Sequence, residues 1–226
     1  MIRAMPGPLA KIPADVDTLL LDLDGTLLDL AYDTHFWLEI LPEHYGAAHG
    51  LTADEARAQI LPRMRAWEGT LPWYCVEHWS RELDFDVVAL KHRFPERIAW
   101  LPGAREFLVR QRALGRRLVL ATNSHPATLA LKDERTQLRQ YLDAVHSSHE
   151  FGAPKEDPAF WRGFRAEVRF DPLRTAFLDD NLTVLRAGRD AGIAHPIAIT
   201  DPDSSRPRRG PPPDFDWVEA VARLDA

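Results

Sequence analysis

Three observations predict an α/β fold in this 226-residue chain, with a doubly wound parallel sheet and a helical subdomain inserted into it. Five short apolar runs recur along the sequence. Most are continuously apolar rather than alternating, as strands buried on both faces of a parallel sheet must be. Helical patterns separate them, which is the rhythm of an α/β core. One interval, 31–100, breaks that rhythm. It offers no strand, holds 11 of the 21 aromatic residues, and is too long for a simple loop, so it reads as an inserted helical subdomain.

The first strand is "TLLLDLD" (18–24), four apolar-or-small positions running into two aspartates. In the inserted interval, 33–46, 52–67 and 73–83 read as helices. "GAREFLVRQRAL" (103–114) is helical, with Phe107, Leu108 and Leu114 near one face and Gly115 as the residue that stops it. The next strands are "RRLVLATN" (116–123) and "DAVHSS" (143–148). In "EDPAFWRGFRAEV" (156–168), Asp157 is an N-cap and Pro158 takes the first helical position. "RTAFLDD" (174–180), a helix over 182–191 and "PIAIT" (196–200) complete the alternation. The tail from 201 reads as a solvated linker, whose Arg206, Arg208 and Arg209 are ordinary surface charge, followed by a short helix. The resulting division is a Rossmann-like core over 1–30 and 101–226, with a helical subdomain over 31–100.

Composition narrows the function. A net charge of −6 argues against general affinity for nucleic acid. The single cysteine, Cys75, permits no intrachain disulfide and fits a reducing compartment. The proline-interrupted N-terminus has no secretory apolar region, and no run reaches the roughly 18 apolar residues of a membrane span. A cytoplasmic protein, without membrane or nucleic-acid partners, is expected. The sequence leaves its oligomeric state open, and a monomer satisfies it.

In an open parallel sheet, ligands bind at the carboxyl ends of the strands. The first strand delivers Asp22 and Asp24 there, the second Thr122 and Asn123, and the fourth Asp179 and Asp180. Lys155 stands in a Gly/Pro-framed loop, "FGAPKEDP". Four carboxylates with one ammonium are unstable together unless a cation joins them. Oxygen-only donors favour Mg²⁺ over zinc.

These motifs, "DLDGT" (22–26), "LVLATN" (118–123), "PK" (154–155) and "FLDDN" (177–181), resemble in order and spacing those of the haloacid dehalogenase-like phosphatase superfamily. The resemblance spans 16–200, and the insert resembles that family's helical cap. It implies that Asp22 is a nucleophile forming an aspartyl-phosphate. Asp24 would be the general acid and then the base. Thr122 and the Asn123 backbone N–H would hold phosphoryl oxygens, and Lys155 would screen charge. Mg²⁺ would be bound by Asp22, the Asp24 carbonyl and Asp180, with Asp179 direct or through water. The dehalogenases have no acid at the position of Asp24, so that residue favours phosphate-ester hydrolysis.

"LLDLAYDTHFW", "TLPWYCVEHWSREL", "TNSHPATLALK" and "FGAPKEDPAFW" resemble further the bacterial purine nucleotidases acting on GMP and IMP. Phosphoglycolate, a sugar phosphate, or a non-catalytic binding protein on the same fold are the rival readings. In the insert, Trp73, Val76, Trp79 and Leu83 form a core stripe on a helix, leaving Tyr74 and His78 on its other face for substrate. Trp37 and His35 also come within reach of a substrate, and an aromatic there can stack on a base. Cys75 is expected to be a small buried residue, and His125 either touches substrate or caps a helix. The histidines lack HExxH-type spacing, so no zinc site is expected.

Overall fold

The computed structural model describes residues 10–224; the reading of the first nine residues lies outside them. Six strands form one parallel sheet in the order β3-β2-β1-β4-β5-β6. They are β1 (Thr18–Leu21), β2 (Arg117–Thr122), β3 (Ala144–Ser147), β4 (Thr175–Asp179), β5 (His195–Ile199) and β6 (Asp216–Val218). β1 is central, with Leu19 paired to Leu118 on one side and to Ala176 on the other.

Alternation along the central strands divides the core into two halves. Leu19, Leu21, Leu118 and Leu120 join Phe107 and Leu108 of α7 (Ala104–Ala113) and Leu129 of α8 (Pro126–Thr136). Leu20, Val119 and Phe177 join Phe160, Trp161 and Phe164 of α9 (Pro158–Val168) and Leu185 of α10 (Leu182–Asp190). Both faces are thus covered, which is why the strands read as continuous apolar runs. Asp157 does cap α9, accepting a 2.7 Å bond from the Ala159 N–H, with Pro158 at its first turn. Gly115 ends α7 with φ +78°. Leu114 departs from expectation. It lies beyond the last turn of α7, where it no longer faces the sheet, and is 53% exposed.

Residues 31–93 contain helices and no strand: α1 (Ala31–His35), a π turn (Phe36–Ile40), α2 (Leu41–His49), α3 (Ala53–Arg65), α4 (Leu71–Tyr74), α5 (Val76–Leu83) and α6 (Val87–Arg93). Phe36, Leu41, Ile60, Trp79, Val87 and Leu90 form a third buried cluster, separate from the two at the sheet. Thr52 starts α3 with a capping box to Glu55. The single helix expected over 73–83 is two. Cys75 is extended (φ −91°, ψ 105°), and its Sγ accepts the His78 N–H at 3.3 Å to start α5 afresh.

The tail also corrects the sequence reading. Asp216–Val218 pairs with β5 as a sixth strand, and a 3₁₀ turn (Val221–Arg223) stands where a helix was expected. Val218, Val221 and Leu224 are buried in the core. Residues 201–210 fold back over the carboxyl end of the sheet, where the Arg209 N–H donates to the Thr200 carbonyl at 2.9 Å.

Candidate active site

The chain runs β1, β2, β3 in one direction and returns to place β4 on the other side of β1. The strand order therefore reverses between β1 and β4, and a crevice opens beyond their carboxyl ends. Asp22 follows β1 and Asp179 ends β4 at that point. The turn after Asp22 folds tightly, with the Gly25 N–H donating to the Leu28 carbonyl at 2.7 Å. Gly25 has φ +91°, and a Cβ there would come 2.8 Å from both Asp180 Cγ and Pro202 Cβ. Only glycine allows this approach of the two acidic loops.

Lys155 sits between them. Its Nζ donates to Asp22 Oδ1 at 2.5 Å and to Asp179 Oδ2 at 2.7 Å, and the residue is 2% exposed. The loop holding it is fixed at both backbone poles. The Lys155 N–H donates to Asn123 Oδ1 at 2.9 Å, and its carbonyl accepts from Trp161 Nε1 at 2.8 Å. Asp179 spends its other oxygen on the Asn181 N–H at 2.8 Å. Burial alone would lower the pKa of Lys155, but Asp179 and Asp22 outweigh it and keep the ammonium charged.

The carboxylates respond the other way. Burial pushes Asp22 up to about 7 against the pull of Lys155, with Asp179 and Asp24 adding repulsion. Burial likewise takes Asp180 to about 7 and Asp179 to about 6. Carboxyl oxygens of Asp22, Asp179 and Asp180 lie within 4.8 Å of one another. Asp22 Oδ2 and Asp180 Oδ1 accept no hydrogen bond from the described residues. An all-oxygen donor set, short of positive charge and with lone pairs to spare, suits a hard divalent cation.

Asp24 belongs to a different network. Its Oδ1 accepts from Lys132 Nζ at 2.6 Å. Lys132 also donates to Asp33 Oδ2 at 2.6 Å, and Lys91 donates to Asp33 Oδ1 at 2.8 Å. Burial raises the pKa of Asp24, with Lys132 opposing.

Above the carboxylates lies a cavity of about 480 Å³, within the range of small-molecule sites. Asp22, Asp24, Thr122, Asn123, Lys155, Asp179 and Asp180 line its floor, and Trp37, Trp73, Tyr74 and Met64 of the helical segment line the opposite side. Tyr74 Oη donates to Glu156 Oε1 at 2.5 Å, and Asn123 Nδ2 donates to Glu156 Oε2 at 2.9 Å. Glu156 thus joins the two halves. His125 caps α8, the second of the two roles expected for it, and also lines the cavity.

His78 is a correction. It lies outside the cavity, edge-on to Trp67 and Trp79 with ring centres 4.9 Å away in each case. The break at Cys75 changes the helical phase, so Tyr74 and His78 do not share a face. His35 pairs with Glu39 at 3.3 Å instead of reaching the cavity. Cys75 is half-buried rather than buried. Arg208 is exposed surface charge as expected, paired with Asp201 and Glu219, but two other tail arginines, also exposed, do more than that. Arg206 and Arg209 line the cavity, and Arg209 Nη1 lies 3.0 Å from Asp180 Oδ2. The sequence reading did not place Lys132, Asp33, Lys91 or Glu156 in the site.

The family model for haloacid dehalogenase-like hydrolases matches residues 16–192. The chain belongs to that family. It is accordingly a hydrolase. Among curated relatives, GMP/IMP nucleotidase YrfG of Escherichia coli K12 is 40% identical over 190 residues, spanning 84% of this chain and 86% of the relative. The Shigella flexneri protein of the same name matches equally. Among solved structures, a HAD phosphatase from Thermococcus onnurineus superposes with a TM-score of 0.73 at 20% identity, covering 91% of this chain and 94% of that one. The L-2-haloacid dehalogenase of Xanthobacter autotrophicus superposes at 0.58 with 16% identity, covering 92% and 96%. These two likenesses speak for the fold. Among the described residues, no helix is long and apolar enough to cross a membrane.

Proposed function

We propose that this hydrolase is a Mg²⁺-dependent 5′-nucleotidase of purine nucleoside monophosphates, GMP and IMP foremost, working through an aspartyl-phosphate. The observation carrying the chemistry is the convergence of Asp22, Lys155 and the Asp179–Asp180 pair at the floor of one cavity. The 40% identity to the GMP/IMP nucleotidase supports the substrate. So do Trp37, Trp73 and Tyr74 facing the carboxylates, since aromatic side chains can stack on a base. In this reading residues 31–100 form a cap domain over a core of 1–30 and 101–226, and the enzyme works in the cytoplasm.

Asp22 Oδ2, free of Lys155, would attack phosphorus while the bond to the nucleoside 5′-oxygen breaks. The Asp24 carboxyl, its pKa raised by burial, would give its proton to that oxygen. Water then attacks the phosphoryl group, Asp24 takes the water's proton, and inorganic phosphate leaves Asp22. Lys155 and Thr122 hold and neutralise the phosphoryl oxygens, as this transfer chiefly requires. Mg²⁺ would be held by Asp22, Asp180 and the Asp24 carbonyl and would supply further charge neutralisation. Asp179, both of whose oxygens are engaged by Lys155 and Asn181, fits a role through water.

The test is phosphate release from GMP, IMP, AMP, phosphoglycolate and hexose phosphates, with Mg²⁺ or EDTA, beside Asp22→Asn. The expected result is a kcat/KM for GMP and IMP at least about tenfold above the rest. Loss of the metal or of the Asp22 carboxylate should cost at least about a thousandfold, the scale seen when a covalent nucleophile is removed. A sugar phosphate in first place would overturn the substrate. Activity unaffected by Asp22→Asn would overturn the mechanism.

A further inference from the structure

Apart from the acidic site, the fold gathers a second set of ligand-type side chains. Cys75, His125 and His149 each offer one atom, and the three atoms lie within 4.8 Å of one another. Cys75 stands between α4 and α5, His125 follows β2 at the start of α8, and His149 is in the 3₁₀ turn Ser148–Phe151 after β3. Their separation in sequence hides the grouping, which is why no such site was expected from motif spacing.

The hydrogen bonds around His149 determine which of its nitrogens is available. Ser147 Oγ–H donates its one proton to the Ser124 carbonyl at 2.8 Å. Toward His149 Nδ1, 3.4 Å away, that hydroxyl can only accept, so Nδ1 carries the imidazole proton. Nε2 keeps a bare lone pair, buried and without a hydrogen-bond partner among the described residues. That lone pair is free to ligate an ion. His125 is 8% exposed and stands edge-on to His149, ring centres 4.8 Å apart.

We propose that Cys75, His125 and His149 form a binding site for a borderline-soft divalent transition ion of the Zn²⁺ type, distinct from the acidic site at Asp22, Asp179 and Asp180. One sulfur and two imidazoles select against Mg²⁺ and Ca²⁺. With metal–sulfur bonds of about 2.3 Å and metal–nitrogen bonds of about 2.0–2.1 Å, tetrahedral ligand atoms stand roughly 3.3–3.6 Å apart. The three groups, within 4.8 Å of one another, therefore close by at most about 1.5 Å on binding. Metal–sulfur and two metal–nitrogen bonds form, and the Cys75 thiol proton passes to solvent. His125 releases its long 3.3 Å bond from the Ala127 N–H in doing so. A fourth position stays open for water.

The three ligands do not belong to one unit. Cys75 lies in the helical segment, and the two histidines lie on loops of the sheet. The ion would clamp one to the other beside the cavity that His125 and Tyr74 line. Occupancy should therefore raise the melting temperature and slow exchange of molecules with the cavity.

The test is titration of the full chain with Co²⁺ in saturating Mg²⁺. Thiolate-to-cobalt charge-transfer absorption should rise to one equivalent, which an all-oxygen site cannot produce, and Zn²⁺ should abolish it by displacement. Cys75→Ser should remove the band, Asp180→Asn should keep it, and His149→Gln should weaken affinity at least about tenfold. His149→Gln, checked by circular dichroism, keeps the test valid if Cys75→Ser does not fold. Absence of the band in the wild type, or unchanged affinity in His149→Gln, overturns the proposal.

Discussion

Lys132 Nζ lies 2.6 Å from Asp24 Oδ1 and 2.6 Å from Asp33 Oδ2, so one buried ammonium joins the proposed general acid to the first helix of the inserted segment. Lys91, from the last helix of that segment, completes the row at Asp33. Burial opposes the charge on Asp33, but Lys132 and Lys91 outweigh it and hold the carboxyl below the usual range. Asp33 is then a positioning residue: it fixes the lysine that fixes Asp24.

Asp33→Asn should accordingly harm proton donation more than phosphate binding. We expect kcat/KM for GMP to fall at least about tenfold more than that for p-nitrophenyl phosphate, whose leaving group needs no proton. Equal losses on the two substrates would mean that Asp33 serves only to hold the fold.

Mg²⁺ affinity should rise with pH. Asp22 and Asp180 stand near 7 and Asp179 near 6 without metal, all above the unfolded value of about 3.9. The metal-free folded state therefore binds these protons more tightly than the unfolded state. On their account it loses stability as pH climbs from about 4 through 7. Mg²⁺ must displace the protons, so its Kd should be about tenfold or more tighter at pH 8 than at pH 6. Calorimetry in two buffers would record the released protons, and a pH-independent Kd would contradict the assignment of the ligands.

Gly25→Ala should be damaging although it adds one methyl group. The new Cβ meets Asp180 Cγ and Pro202 Cβ at 2.8 Å, at φ +91°. Expected costs are about 1–3 kcal/mol of stability and a weaker Mg²⁺ site as Asp180 is displaced. Urea unfolding and a Mg²⁺ titration read the two effects separately.

Trp37→Ala probes the aromatic wall of the cavity. If Trp37 packs on the base, kcat/KM for GMP should drop about tenfold or more, in line with stacking of roughly 1–3 kcal/mol. Turnover of p-nitrophenyl phosphate should change little. A uniform loss would place Trp37 in the helical core, where it already packs edge-on to Phe36.

The part of the site built from strand ends was legible in the sequence because each strand carries its chemistry in adjacent residues. Asp22 follows β1 directly, Thr122 ends β2 and Asp179 ends β4. The Lys132–Asp33–Lys91 row was not legible. Its partners are 99 and 58 residues apart, and a lone lysine on a helix reads as solvated until its buried partner is known. His78 was misplaced because a period-3.6 reading runs straight through Cys75, whereas the backbone there is extended. β6 was missed because three residues after a proline-rich stretch carry almost no pattern; pairing with β5 alone makes them a strand. Arg209 was read as linker charge because nothing local shows that its loop returns to Asp180.

The central place of β1 has a consequence for how this chain emerges from the ribosome. Thr18 must await Arg117 on one side and Thr175 on the other, both made long after it. At about 5–20 residues per second, the first of these partners trails by roughly 5–20 s. In that interval the buried cluster drawn from residues 36–90 has all its members and can condense from short-range contacts. The nascent strand "TLLL", fully apolar from Leu19 to Leu21, waits unpaired beside it. The helical segment is thus the first unit able to bury itself. The strand leading to Asp22 is the one that waits longest for its partners during synthesis.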